Sequence, residues 1–172
     1  MRDFNKYQGG WVHKLANIAG HLTLGEGSRV DAYVTVTGDV VIGKYCHVGT
    51  GACLFGGSGI TLGDYAALSP GAMIFSATED VSGEWVTNPT VPDAYRNPVK
   101  AHIVMGDHAE IGARSILLPG AHLPEGAFLG SLSMCKRALE PWSINAGVPA
   151  VFKKSRTRGV LAKVKEFECQ PT

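Results

Sequence analysis

The sequence predicts an all-β solenoid, a parallel β-helix wound from six-residue units, and three observations predict it. An aliphatic side chain recurs every sixth position at Leu24, Val30, Val36, Ile42, Val48 and Leu54, after a two-residue slip at Leu62, Leu68 and Ile74, and again at Met105, Ile111, Leu117, Leu123 and Leu129. A small or short residue follows four positions later, as at Ser28, Val34, Val40, Cys46, Ala52, Ser58, Ala109, Ser115, Ala121, Ala127 and Ser133. Glycine supplies 22 of the 172 residues, roughly twice its usual share of about 7%, with no collagen period. Tight turns at short, even intervals unite the three.

Residues 1–23 read as a lead-in. From Leu24 each unit is a short strand and a corner: LGEGSR at 24–29, IGKYCH at 42–47, LGDYAA at 62–67, IGARSI at 111–116. The aliphatic points inward, the small residue fills the cramped corner, and Gly, Asp or Pro supplies the turn. Such strands are too short and too evenly punctuated for a period-two sandwich or a period-3.6 helix. Three units close one triangular coil, and each coil covers the apolar face of the last. About five coils fit, at 24–41, 42–61, 62–104, 105–122 and 123–140. Residues 76–102 (SATEDVSGEWVTNPTVPDAYRNPVKAH) swell the third coil, breaking the rhythm with Pro, Asn, Asp and Thr. An excursion this long is functional or disordered; Trp85, Val91 and Tyr95 are available to pack and predict an ordered loop. Residues 141–172 close the single domain, with Val160, Leu161, Val164 and Phe167 at the spacing of a short amphipathic helix.

Composition narrows the function. A formal charge of +1, from 16 basic and 15 acidic residues, offers no broad field for nucleic acid or an anionic membrane. Cys46, Cys53, Cys135 and Cys169 lie far apart, without the spacing of a metal knuckle or a disulfide framework, and read as reduced thiols. The first twenty residues carry charges and glycines where a signal peptide needs an apolar run, and no stretch of about 18 apolar residues occurs. The expected location is the cytoplasm.

The repeats, the loop after Ile74 and the segment EPWSINAGVPAVFKKS (140–155) resemble the left-handed β-helix acyltransferases of the maltose, galactoside and sugar-nucleotide type. The most specific parts are GDHAEIGARSILLPG (106–120) and NAGVPA (145–150). The resemblance implies a left-handed coil, a homotrimer with active sites between neighbours, and acetyl-CoA as co-substrate with no metal. It lays the pantetheine arm along the coil edge at Ala113 and Ser131, and makes Lys136, Arg137, Lys153, Lys154 and Arg156 the phosphate candidates.

Acyl transfer needs a nucleophile freed of its proton, a donor for the oxyanion and a held thioester. The family commonly supplies a histidine at the loop entry, in a run of the form TATHP. Here the aligned run is IFSATED (74–80), with Glu79 in the histidine's place. A hydroxyl acceptor gains about 10²–10⁴-fold from a positioned base, whereas an amine whose pKa lies near the α-amino value of about 7.7–8.0 is already partly neutral at physiological pH. The expected acceptor is therefore the amino group of an amino-deoxy sugar, possibly nucleotide-linked, in surface polysaccharide or O-antigen synthesis. Glu79 or Asp80 would orient the ammonium, Ser76 or Thr78 would relay a proton, and His102 and His108 are alternative bases. Glu84, Trp85 and Tyr95 are candidates for contacting the acceptor.

Three rival readings stand beside this one: O-acetylation of a galactoside or maltose-type sugar, a metal-dependent β-helix hydrolase needing three converging histidines, and a non-enzymatic solenoid. The six histidines (13, 21, 47, 102, 108, 122) lack the tight spacing the hydrolase uses. His47 and His122 occupy outward sixth positions and read as surface or subunit-contact residues.

Overall fold

A computed structural model describes residues 3–169. The chain winds as a left-handed parallel β-helix of triangular section, with three columns of short strands. In the first column Trp11–Val12 pairs with Arg29–Val30, then His47–Val48, Ala67–Leu68, Glu110–Ile111, Phe128–Leu129 and finally Ile144–Asn145, every pairing parallel. The second column stacks Asn17–Ile18, Thr35–Val36, Cys53–Leu54, Met73–Ile74, Ile116–Leu117 and Met134–Cys135. The third runs from His21–Leu24 through Asp39–Ile42, Ile60–Leu62 and Ile103–Met105 to His122–Leu123.

The alternation of burial along each strand puts one side chain inside, and the inward residues are the periodic aliphatics: Val30, Val36, Leu54, Leu68, Ile74, Ile111, Leu117, Leu123 and Leu129 are all essentially inaccessible. Their burial, about 1.5–3 kcal/mol for each fully buried aliphatic, is the main force holding the stack together. The small residues fill the corners as expected, with the exception of Ser58, which is half-buried because the two-residue slip falls there and sets Gly57–Gly59 opposite Asp39 alone.

The solenoid extends further than the repeat reading placed it. Val12 and Ile18, twelve and six residues before Leu24, already sit in phase and pair with the next coil, inside the segment read as a lead-in. Antiparallel hairpins close both ends: Phe4–Tyr7 on Gly10–His13, and Ser143–Ala146 on Val151–Ser155. The helix Val160–Glu168 falls where the periodicity put it, although no residue of it is fully buried. No helix among the described residues is long and apolar enough to cross a membrane.

One corner carries an aromatic column. Tyr45, Tyr65, His108 and Trp142 all sit at positive φ, between 52° and 60°, a conformation costly to side chains bearing a Cβ. Stacking offsets it: ring centroids stand 5.4 Å apart for Tyr45 and Tyr65, 5.2 Å for Tyr65 and His108, and 6.1 Å for His108 and Trp142. The C-terminal helix docks on this column through Phe167, edge-on to Tyr45 at 5.1 Å, and through a hydrogen bond from the Tyr65 hydroxyl to the Glu168 carboxylate at 2.6 Å.

Candidate functional site

The loop leaves the corner between the second and third columns. Its arms form a short antiparallel ladder, Ala77 opposite Lys100 and Thr78 opposite Val99, and the Ala101 N–H donates to the Ser76 carbonyl at 2.9 Å. Beyond the ladder the Glu79 carboxylate is gripped by the Arg96 guanidinium, which also reaches Asp93 at 3.2 Å. Asp80 accepts from the Ser82 amide at 2.7 Å and from the Asn97 side chain at 3.0 Å. The Ser82 hydrogen bonds, foremost, hold the Asp80 carboxyl below its ordinary value. Asp93–Tyr95 forms a 3₁₀ turn, and the Val86 N–H donates to the Tyr95 carbonyl at 3.0 Å. The loop is ordered as expected, but Trp85 and Tyr95 do not pack inward: they stand 43% and 63% exposed at its tip, and Glu84 beside them is exposed too.

A cavity of about 410 Å³ lies at the loop base, lined by Phe75, Thr78, Glu79, Pro89, Arg96 and Lys100. Several acids and hydroxyls assigned to catalysis are engaged elsewhere. Ser76 is wholly buried, donating to the Phe55 carbonyl at 3.0 Å and accepting from the Ser58 amide at 2.8 Å. A relay through it would strand the amide it satisfies, so its role is to staple neighbouring coils, as Ser28 and Ser115 do at other corners. Glu79 is neutralised by Arg96, and Asp80 holds the loop together. His108 lies at a different corner, sandwiched between Tyr65 and Trp142, away from the loop. His102 does stay at the loop corner, exposed, with Nε2 2.8 Å from the Thr61 hydroxyl.

A second region follows the opposite edge of the second column. Ala113 and Ser131 stack one coil apart, the Leu132 N–H donating to the Ala113 carbonyl at 2.9 Å. At the C-terminal end of this column a cavity of about 430 Å³ is lined by Met134, Lys136, Arg137, Pro149 and Val151. Lys136, Arg137, Lys153 and Lys154 are exposed there or on the closing strand. Arg156 is not available as a phosphate ligand: its guanidinium is tied to Glu110 and donates to the carbonyls of His108 at 3.0 Å and Gly126 at 3.2 Å.

The sequence reading missed two features. Arg96 was one, because its partner Glu79 comes from the other arm of the loop and only the hairpin brings them together. The second is an outward apolar face. Second-column strands carry Cys53 and Phe55, Met73 and Phe75, Ile116 and Leu118, and then Met134 around their inward residue, where first-column strands carry Arg29 and Asp31 or Glu110 and Gly112. Phe55 and Phe75 stack at 4.9 Å on this face. The signal was legible in the triplets CLF, MIF and ILL, which lack polar flanks. Among the described residues no three His, Cys, Asp or Glu side chains converge to hold a metal ion.

Residues 21–56 match the bacterial transferase hexapeptide family, described as six repeats. The dTDP-4-amino-4,6-dideoxy-D-glucose acyltransferase of Escherichia coli is 33% identical over 144 residues, 82% of this chain and 75% of that one. The chain belongs to the hexapeptide-repeat acyltransferases. Among solved structures, AntD, an N-acyltransferase from Bacillus cereus in complex with dTDP and 3-hydroxybutyryl-CoA, superposes with a TM-score of 0.89 at 34% identity, covering 92% of this chain and 86% of that one. A serine variant of AntD holding dTDP-4-amino-4,6-dideoxyglucose and coenzyme A gives the same TM-score and coverage at 33% identity.

Proposed function

We propose that the protein transfers an acyl group, acetyl in the simplest case, from its coenzyme A thioester to the amino group of a nucleotide-linked amino-deoxy sugar, in a surface-polysaccharide pathway of the cytoplasm. One observation carries the choice of acceptor: at the loop corner Glu79, Asp80 and Ser76 are each committed to structural partners. A hydroxyl acceptor would need a base there; an amine does not. The neutral amine attacks the thioester carbonyl, the C–N bond forms, the C–S bond breaks, and the proton lost by nitrogen ends on the departing thiolate. The relatives that carry dTDP and an amino sugar support the acceptor class.

Lys100 lines the loop cavity and forms no ion pair among the described residues, which suits an acceptor diphosphate. Glu84, Trp85 and Tyr95 present the acceptor-binding tip. Ala113 and Ser131 lie along the pantetheine, and Lys136, Arg137, Lys153 and Lys154 meet the coenzyme phosphates. The outward face of Cys53, Phe55, Met73, Phe75, Ile116 and Leu118 lies between these two edges, and in a homotrimer it packs against a neighbour. That assembly would bring the coenzyme edge of one copy to the loop of the next.

The deciding experiment follows thiol release from acetyl-CoA against dTDP-4-amino-4,6-dideoxyglucose, other nucleotide-linked amino sugars, galactosides and maltose. Turnover confined to amino acceptors supports the reading, and turnover confined to hydroxyl acceptors overturns it. His102 beside Thr61 favours one second reading, an O-acyl transfer with His102 as base. In that case His102→Asn would lower kcat by about 10²-fold or more.

A further inference from the structure

The loop that bears the acceptor tip is long, exposed over most of its length and attached to the solenoid by a ladder of only two residue pairs. Such a tip needs a fixed support if it is to hold a ligand in one geometry. The contacts run in sequence outward from the ladder. Glu79 directly follows it on one arm. Arg96 stands on the other, and their side chains are the least exposed charged pair of the loop, at 24% and 14%. The same guanidinium reaches Asp93, which opens the 3₁₀ turn. The turn ends at Tyr95, whose carbonyl holds the Val86 N–H next to Trp85.

We infer that the Glu79–Arg96 pair is a latch between the rigid base of the loop and its aromatic tip, and that Arg96 is a positioning residue for acceptor binding, acting through Asp93 and the turn. Only a guanidinium spans both carboxylates at once, with its fork on Glu79 and a further N–H on Asp93. Glu79 is then the anchor that the loop requires, occupying the place where the family's histidine would act. The kinetic consequence rests on the proposed acceptor site; the structural consequence does not.

The test compares the full-length wild type with Arg96→Gln, Arg96→Lys and the charge exchange Glu79→Arg with Arg96→Glu, by two readouts. Amide hydrogen exchange is followed at Val86 and at solenoid positions such as Leu54. Steady-state KM is measured separately for dTDP-4-amino-4,6-dideoxyglucose and for acetyl-CoA. For Arg96→Gln the latch requires Val86 exchange to quicken by about tenfold or more while Leu54 is unchanged, with acceptor KM rising by a similar factor and acetyl-CoA KM by less than about twofold. Arg96→Lys and the charge exchange should each restore part of both. Unchanged protection at Val86, or loosening that spreads to Leu54, overturns the latch, as does an acceptor KM that moves only together with the acetyl-CoA KM. Should the wild type turn over no amino sugar, the acceptor reading fails alone and the exchange data still decide the latch.

Discussion

Glu79 stands at the loop entry where a free carboxylate could take a proton, and Arg96 takes that carboxylate instead. On this account Glu79→Gln weakens acceptor binding and leaves most of kcat in place, whereas loss of a general base would cost about 10²–10⁴-fold in kcat. His102→Asn should stay within about threefold of wild type in kcat, which steady-state assays at saturating acetyl-CoA would check. Gly126 matters for a different reason: its φ is +67°, and a Cβ there would overlap the Trp142 ring. Gly126→Ala should destabilise the fold by about 2–4 kcal/mol, from left-handed strain and overpacking together, read from the shift of a urea midpoint. Single residues were the hardest to read from sequence. Ser76 looks like any loop hydroxyl in the string IFSATED, and only the stack of neighbouring coils reveals that both its hydrogen bonds are used internally. Arg156 was misread for the same reason, since Glu110 and the two carbonyls that hold it are distant in sequence.

Elements were far more legible. An inward aliphatic every sixth residue is a physical requirement of the coil, so the strands, the slip at Gly57–Gly59 and the loop boundaries all follow from it. Val12 and Ile18 keep the same phase, but their units lack the glycine directly after the aliphatic that opens LGEGSR, IGKYCH, LGDYAA and IGARSI. The C-terminal helix was visible in its apolar spacing, and the corner phase shared by Tyr45, Tyr65 and His108 was too, but the docking of the helix on that column was not. That docking makes an alkaline prediction. Burial first, then the hydrogen bond to Glu168 and its charge, raise the Tyr65 pKa above the ordinary tyrosine value of 10.0. The protonated phenol is thus the form the fold favours. Its contribution to stability is complete below about pH 10 and fades as pH rises toward the folded-state pKa. Tyrosinate absorbance should show one residue titrating late, absent in Tyr65→Phe and shifted back down in Glu168→Gln. A late phase unaffected by either change would contradict the docking.

At the scale of the molecule, the proposed function sets the two halves of the site on opposite edges of one apolar face, and self-association would join them. Met73, 37% exposed at the centre of that face, gives the direct probe. Met73→Lys should reduce the sedimenting mass from three times the 18.2 kDa chain to a single chain and abolish turnover, with the solenoid's circular dichroism retained. The exposed Cys169 should react with a thiol reagent in both forms, and Cys53, which lies on the face, should react readily only in the dissociated one. The claim that joins all three scales is that nitrogen is the acylated atom. The measurement that tests it most directly is mass and NMR analysis of the product formed from acetyl-CoA and dTDP-4-amino-4,6-dideoxyglucose. The account predicts a single acetyl group in amide linkage at the sugar nitrogen, stable to hydroxylamine. A hydroxylamine-labile ester, or no product from this acceptor or any other amino sugar while a galactoside or maltose is acetylated, would contradict it.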